Sequence, residues 1–431
     1  MNVPMKRFIL PTMWLLLLPS WVGAEALSLD QCIEQALAHN PEIKAYQFAA
    51  KEADAGVGEA VGAFLPSLTL SYDFSKLYDS SGQGLDTDYI DQQTDRFTAR
   101  VTQPLFAGLG NVAGLQKARE NRQYREKELL FVRSRLIRDI RASFYDILRA
   151  QQAVVKRSDS VKRLEEQVLI AEAWVKQSLA PRVHLLETEV VLSNARQELI
   201  AAEASLTIAR ARLEELLALR HDSQLEITGS LQQEVYGACA ELDVCLDQAQ
   251  VRRIELELAA LNIEMARQES RMILARSLPR ANLDASWTDY QRDYEDNRRQ
   301  DDDRDYYTVM VNVSLQPFDG GRTIYAYRRQ LLAIERLESL RVKQQQAIVT
   351  EVRTRFEQFH EGQARLQAAS VTLTQAQEAY KLTKRSVELG VNSLRDLLES
   401  SILLNRAEIN QIDSYHALQV ARAQLDFAVG N

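Results

Sequence analysis

Four segments of the chain alternate apolar and polar residues with a period of two. In the first, Leu68, Leu70, Tyr72 and Phe74 alternate with Thr69, Ser71, Asp73 and Ser75; in the second, Phe97, Ala99 and Val101 alternate with Thr98, Arg100 and Thr102. The third sets Ala281, Leu283, Ala285 and Trp287 against Asn282, Asp284, Ser286 and Thr288. The fourth sets Val309, Val311, Val313 and Leu315 against Thr308, Met310, Asn312 and Ser314. Successive side chains of a strand point to opposite faces, so each segment predicts a strand of about 9 to 12 residues with one apolar face. The connections from Asp79 to Asp91 and from Arg292 to Asp305 are polar and read as surface loops.

The remaining pattern is helical. Asn40-Pro41-Glu42 supplies an N-cap, a proline at the first helical position and an acid in the first turn, which predicts a helix to about Ala63 that Leu65-Pro66 ends. No Gly or Pro occurs from Leu115 to Ala180, so an unbroken helix there would be about 100 Å long at 1.5 Å per residue. A rod of that length exceeds an ordinary core and has to lie against other rods. After Pro181, Leu185, Leu192, Leu199, Leu206 and Leu213 recur every seven residues, with Ala195, Ala202, Ala209 and Leu216 three further on, which is a heptad seam. Leu397, Leu404, Leu418 and Leu425 repeat it late in the chain, with Gln411 as the exception. On the preceding helix Val161, Leu164, Val168, Ala171 and Val175 step by three and four, so the two rods should pair antiparallel about a turn near 178–183.

The chain is written twice. At an offset of 213, Leu29-Asp30-Gln31-Cys32 aligns with Leu242-Asp243-Val244-Cys245, Leu65-Pro66 with Leu278-Pro279, and Gln103-Pro104 with Gln316-Pro317. One deletion then shifts the offset to 212, which aligns Phe106 with Phe318, Gly108 with Gly320, and Leu185-Leu186-Glu187 with Leu397-Leu398-Glu399. The predicted organisation is a leader at 1–24, a first repeat at 25–228, a linker at 229–241 and a second repeat at 242–431. Each repeat runs as a short helix, two strands and two long helices.

The leader is argued from Lys6 and Arg7 before the apolar stretch Phe8 to Leu18, with Val22-Gly23-Ala24 as a cleavage site for export. The apolar run is about half the ~20 residues that span a bilayer, and the chain beyond it has no run of 18 apolar residues. If it enters a membrane, it enters as strands. The formal charge of −8 argues against a general nucleic-acid binder. Only Cys32, Cys239 and Cys245 occur; in an oxidising compartment the short spacing allows Cys239 and Cys245 to pair, though spacing alone does not fix the geometry.

No catalytic constellation stands out. His39, His184, His221, His360 and His416 are scattered without metal-ligand spacing, and no metal or other cofactor is implied. Gly108-Leu109-Gly110 follows a strand and opens a helix, but no second parallel strand follows to complete a nucleotide fold. Gly56, Gly58 and Gly62 in the first helix suggest close helix packing.

A strand exposed to lipid needs both edges paired, because hydrocarbon cannot satisfy free backbone groups. Four strands cannot close a barrel, so two or three copies would have to share one wall as a homo-oligomer. Apolar residues then face lipid, and Ser, Thr, Asn and Asp face a lumen that Asp73 and Asp284 make mildly acidic. A soluble sheet shows the same alternation; the leader and the rods favour the membrane.

The duplication, Asn40-Pro41-Glu42, Leu65-Pro66 before each first strand, Gln103-Pro104-Leu105-Phe106 and Gln316-Pro317-Phe318-Asp319-Gly320-Gly321 after each second strand, and the turn at Gly390 closely resemble the TolC-like outer-membrane efflux family (outer membrane factors) over 29–430. The resemblance implies a mainly helical α and β fold, four membrane strands and long coiled-coil helices per chain. It also implies a homotrimer whose 12-strand β-barrel continues into a periplasmic helical barrel in the outer membrane. Such a channel is no enzyme but the passive exit duct of a tripartite efflux pump or a type I secretion system, working with a periplasmic adaptor and an inner-membrane pump or secretion ATPase. The contrasting reading is a soluble periplasmic coiled-coil adaptor or scaffold. By the same resemblance, the run from Gly390 to Glu399 places Asp396 and Glu399 at acidic gate rings, with His184 and Glu187 as their first-repeat equivalents. Leu179, Ala180, Gly390, Val391 and Ser393 fall at the two turns that would meet the adaptor. His184 could pair with Asp396 and make the gate sensitive to pH.

Overall fold

A computed structural model describes residues 26–79, 90–219, 225–232, 239, 241–294 and 302–430. The predicted leader and the middles of the two polar strand connections, 80–89 and 295–301, lie outside the described residues, and the flanks of both connections are strand. The first repeat runs α1 (Leu29–His39), α2 (Pro41–Gly62), β1 (Ser67–Asp79), β2 (Ile90–Ala107), α3 (Gly110–Lys176) and α4 (Arg182–Leu217). The second runs α5 (Leu242–Arg252), α6 (Ile254–Leu274), β3 (Arg280–Tyr294), β4 (Asp302–Ser314), α7 (Arg322–Glu388) and α8 (Leu394–Val429). Each repeat therefore opens on two helices, where the sequence pattern suggests one. The strands also run longer than expected, 13 to 18 residues, because the ladders continue into the polar stretches.

The four strands form one antiparallel sheet in the order β1-β2-β3-β4, with a bulge at Pro104/Phe106 where the missing proline N–H interrupts the ladder. The register puts Leu70, Ala99, Trp287 and Tyr307 on one face, and Ser71, Thr98, Thr288 and Tyr306 on the other. The apolar face is exposed along β1 and β4. Among the described residues β1 and β4 pair on one side only.

α3 and α7 are each 67 residues long, about 100 Å. They pair antiparallel with α4 and α8: Val161 and Leu164 of α3 pack against Leu192 and Ala195 of α4. Val132 and Leu136, earlier in α3, meet Leu213 and Leu217, later in α4. The second seam buries Leu397, Leu404, Leu418 and Leu425, while half-buried Gln411 donates to the Ser370 hydroxyl at 3.4 Å. Gly56, Gly58 and Gly62 meet nothing within 4 Å of an added Cβ, so the close packing suggested for them does not occur within the chain.

The joint between the first two helices is built alike in both repeats. Asn40 caps α2, its Oδ1 accepting from the N–H of Glu42 at 2.8 Å, and its Nδ2 donates to the Leu216 carbonyl at the end of α4 at 2.9 Å. Arg253 lies at the equivalent position, between α5 and α6, and its Nη1 donates to the Ala428 carbonyl at the end of α8 at 3.2 Å. Residues 216 and 428 are themselves equivalent at the offset of 212, so each repeat clamps its entry joint onto its own last helix. Cys32 and Cys245 are buried just before these joints. Burial pushes the Cys32 thiol up to about 11, and Cys245 is joined to Cys239 with Cα atoms 5.7 Å apart.

Among the described residues, the non-glycine residues with positive φ are Leu109, Ser178 and Ala218, and 212 positions on stand Gly321, Gly390 and Gly430, all with positive φ. The fold thus imposes a left-handed residue before each third helix, after it, and after each fourth. The second repeat meets the demand with glycine, whereas the first uses residues whose Cβ crowds the following carbonyl at roughly 1–2 kcal/mol. Ala218→Gly is therefore expected to raise thermal stability slightly, by up to about 1 kcal/mol after the larger entropy loss of glycine is counted. A melting curve followed by circular dichroism checks the sign.

Candidate functional site

The far ends of the rods form a tip. α3 ends at Lys176 and α4 begins at Arg182; α7 ends at Glu388 and α8 begins at Leu394. Leu179 and Val391, 65% and 75% exposed, crown the two turns beside Gly390. Ala180 instead packs inward on the cluster of Ala171, Val387, Leu394 and Leu397, and Ser393 is the N-cap of α8. These five turn residues thus divide: Leu179, Gly390 and Val391 present outward, while Ala180 and Ser393 hold the turns together.

Asp396 completes a capping box. Its Oδ2 accepts from the Ser393 backbone N–H at 3.0 Å and from the Ser393 hydroxyl at 2.8 Å, while its own N–H donates to the Ser393 Oγ at 3.2 Å. Those bonds to Ser393 hold its carboxyl below the ordinary aspartate value, so it stays charged at neutral pH. Within the chain His184 does not contact Asp396, the partner it could have had. Its Nδ1 lies 3.3 Å from Glu187, one turn on along the same helix, a contact that α-helical geometry favours at this spacing.

Glu187 and Glu399 line one shallow groove of about 590 Å³ between α4 and α8, with Arg395 on its rim and Val183, Leu186, Val190 and Leu398 as its apolar floor. The seam pattern could not announce this groove, because Val183, Leu186 and Val190 lie off the heptad positions and face away from the partner helix. Of the four gate candidates, the structure brings together Glu187 and Glu399 across the groove and pairs His184 with Glu187; Asp396 is engaged with its own helix terminus.

At the other end, the polar face of the sheet is less simple than Asp73 and Asp284 suggest. Arg96, Arg100, Arg292 and Arg304 share that face by register. It is mixed, with Arg96, Arg292 and Arg304 gathered toward the ends of β2, β3 and β4 far from the helices. Asp284 accepts from the Thr102 hydroxyl at 2.6 Å and is held in the ladder. On the opposite face Tyr72, Phe97, Trp287 and Tyr307 stand near one level, an aromatic band bordering aliphatic residues as at a membrane interface. Among the described residues no helix is long and apolar enough to cross a membrane, and no group of three or more His, Cys, Asp or Glu could hold a metal.

A sheet lipid-like on one face and polar on the other, mounted on rods of about 100 Å, defines a channel subunit that crosses a membrane as strands. The sequence profile of the outer membrane efflux protein family matches residues 32–219 and again 245–431, and the chain belongs to that family. It is 21% identical over 429 residues to the outer membrane protein TolC of Vibrio cholerae, covering 96% of this chain and 92% of that one. It is 25% identical over 423 residues to the alkaline protease secretion protein AprF of Pseudomonas aeruginosa, covering 94% and 85%. Among solved structures, the outer membrane protein VceC of Vibrio cholerae superposes with a TM-score of 0.78 at 16% identity, covering 94% of this chain and 96% of that one. The protein is an outer-membrane efflux channel with a long periplasmic helical portion, in a family of transport channels. The soluble scaffold reading is set aside.

Proposed function

We propose that three copies of this chain close their sheets into one 12-strand barrel over a helical tunnel, as the passive exit duct of a tripartite efflux pump or type I secretion system. The observation that carries this reading is the four-stranded sheet itself: one face is apolar, and among the described residues β1 and β4 each pair on one side only. In hydrocarbon each of those edges would leave a row of backbone groups unsatisfied at several kcal/mol apiece, a cost that joining β4 of one copy to β1 of the next removes. The likeness to TolC and to a protease secretion protein supports the same assembly. The duct carries no reaction of its own, and transport is driven by an inner-membrane pump or secretion ATPase through a periplasmic adaptor. The adaptor docks on the exposed apolar crown of Leu179 and Val391 and in the groove between α4 and α8. Recovery of a heat-stable trimer from detergent-solubilised outer membranes tests the assembly, and recovery as a monomer overturns it.

At the tip, carboxylates from three copies converge on a narrow pore, repel one another and gather cations. Glu399 is the cleaner probe of this gate, since Asp396 also caps α8. Glu399→Ala is expected to raise single-channel conductance several-fold and reduce cation preference, with a smaller effect for Asp396→Ala. Planar-bilayer recordings check it, and unchanged conductance and selectivity in both variants would remove the gate assignment.

A further inference from the structure

The polar face of the sheet carries a feature that neither gating nor docking uses. Tyr290 on β3 is only 4% exposed although it points to the polar side. It is covered by three guanidinium groups: the Cζ of Arg292 lies 5.1 Å from the ring centroid, and those of Arg96 and Arg304 lie 5.4 Å from it. The three come from three strands. Arg96 of β2 and Arg304 of β4 stand directly opposite Tyr290 in the two ladders, and Arg292 is two residues along β3.

The electron-rich ring face holds the cations at a position where they would otherwise repel one another. Among the described residues their own counter-charges are few. Asp302 lies 3.5 Å from Arg304, Asp73 stands opposite Arg96 in the register, and Arg292 donates to the neutral Tyr294 hydroxyl at 3.3 Å. Among the described residues Arg96 and Arg292 have no carboxylate within ion-pair distance, and the Arg292 Nε is buried without a hydrogen-bond partner, while the Arg292 guanidinium faces the Tyr290 hydroxyl. Three guanidinium groups held together on one ring, two of them without a carboxylate, are a donor set short of acceptors.

We propose that Arg96, Arg292 and Arg304, seated on Tyr290, form an anion-binding collar on the barrel wall, which takes carboxylate-bearing solutes passing through the outer part of the duct. The collar rests on the reading that this face lines the lumen. Three copies would place nine guanidinium groups around one narrow passage, where a low-dielectric wall focuses their field. An anion there relieves the mutual repulsion of the arginines and accepts their free N–H groups, while the buried Tyr290 ring holds them in place. This polarity is opposite to that of the acidic tip.

Citrate is the probe. Added on the barrel side of channels in a planar bilayer at low salt, it is expected to reduce conductance in the native protein. In the Arg96→Gln/Arg292→Gln/Arg304→Gln variant the half-blocking concentration is expected to rise at least tenfold. Arg96→Gln alone should raise it about threefold, which keeps the test available if the triple variant does not assemble. Tyr290→Phe, which keeps the ring platform and loses the hydroxyl, should raise it less than the triple variant. Absence of block in the native channel, or equal block in native and arginine variants, overturns the collar. A separate control examines the face itself: Ser286→Cys, on the same side, should be modified by a membrane-impermeant thiol reagent with a fall in conductance, the native Cys32 being buried and its thiol raised to about 11. Failure of that control would reject the channel reading and the collar with it, whereas modification of Ser286→Cys without citrate block rejects the collar alone.

Discussion

Val311→Arg is expected to keep the protein out of the outer membrane, while Asn312→Arg, one residue away, leaves insertion nearly unchanged. Val311 is at the centre of the apolar face of β4, between Val309 and Val313, and all three are exposed in the single chain. Asn312 belongs to the opposite face, opposite Asn282. A charged side chain at the lipid midplane of a barrel costs about 2–4 kcal/mol, and three copies per barrel bring that to about 6–12 kcal/mol. On the lumen face the same arginine meets water and costs almost nothing. Membrane fractionation with heat-modifiability on gels measures the outcome. The contrast between neighbouring residues matters more than either result alone, since a soluble sheet whose apolar face packs on protein would also reject Val311→Arg, yet would leave both variants in the periplasm. Equal insertion of the two variants would mean that the faces are assigned the wrong way round or that the strands do not meet lipid.

That contrast is legible in the order of residues alone, because strand parity depends only on a period of two and the four segments keep it for six to eight residues each. The rods are legible for a similar reason: absence of Gly and Pro and a leucine every seventh residue are local signals. What stays hidden depends on register or on the unusual use of a residue. Arg96, Arg292 and Arg304 lie far apart along the chain, and only the pairing of β2, β3 and β4 places them around Tyr290. The sequence pattern, weighing Asp73 and Asp284, therefore suggests a mildly acidic face. At the tip, Asp396 reads as a free acid because its place in the heptad is visible while its bond to Ser393 is not, although Ser393 and Asp396 have the spacing of a capping box. The split of the entry helix is visible at Asn40-Pro41, where a capping side chain and a proline mark it. In the second repeat an arginine occupies the joint and carries no such signal.

Arg253 is also the residue whose loss should most destabilise the periplasmic portion. It is 5% exposed; its Nη2 lies 2.6 Å from Glu255 and 2.8 Å from Glu351, and its Nη1 donates to the Phe427 and Ala428 carbonyls at 3.4 and 3.2 Å. Its Cζ stacks 5.3 Å from the Phe427 ring centroid. One guanidinium thus ties the start of α6, the middle of α7 and the end of α8 into the second core. Arg253→Met removes the charge and leaves two carboxylates and two helix-terminal carbonyls without a donor, for which a loss of about 3–5 kcal/mol is usual; the partial exposure of both glutamates argues for the lower end. The expected result is a lower melting temperature and faster proteolysis at the end of α8, with the strands still inserted. Arg253→Lys should fall between, keeping the charge and losing the fork that serves four acceptors at once. Arg253→Met combined with Glu351→Gln should recover part of the loss, because the repulsion between the abandoned carboxylates then disappears. If Arg253→Met melted like the native protein, the equivalence with Asn40 would be one of position only, and the second repeat would close on its apolar contacts at Val352, Leu425 and Val429 without a polar clamp.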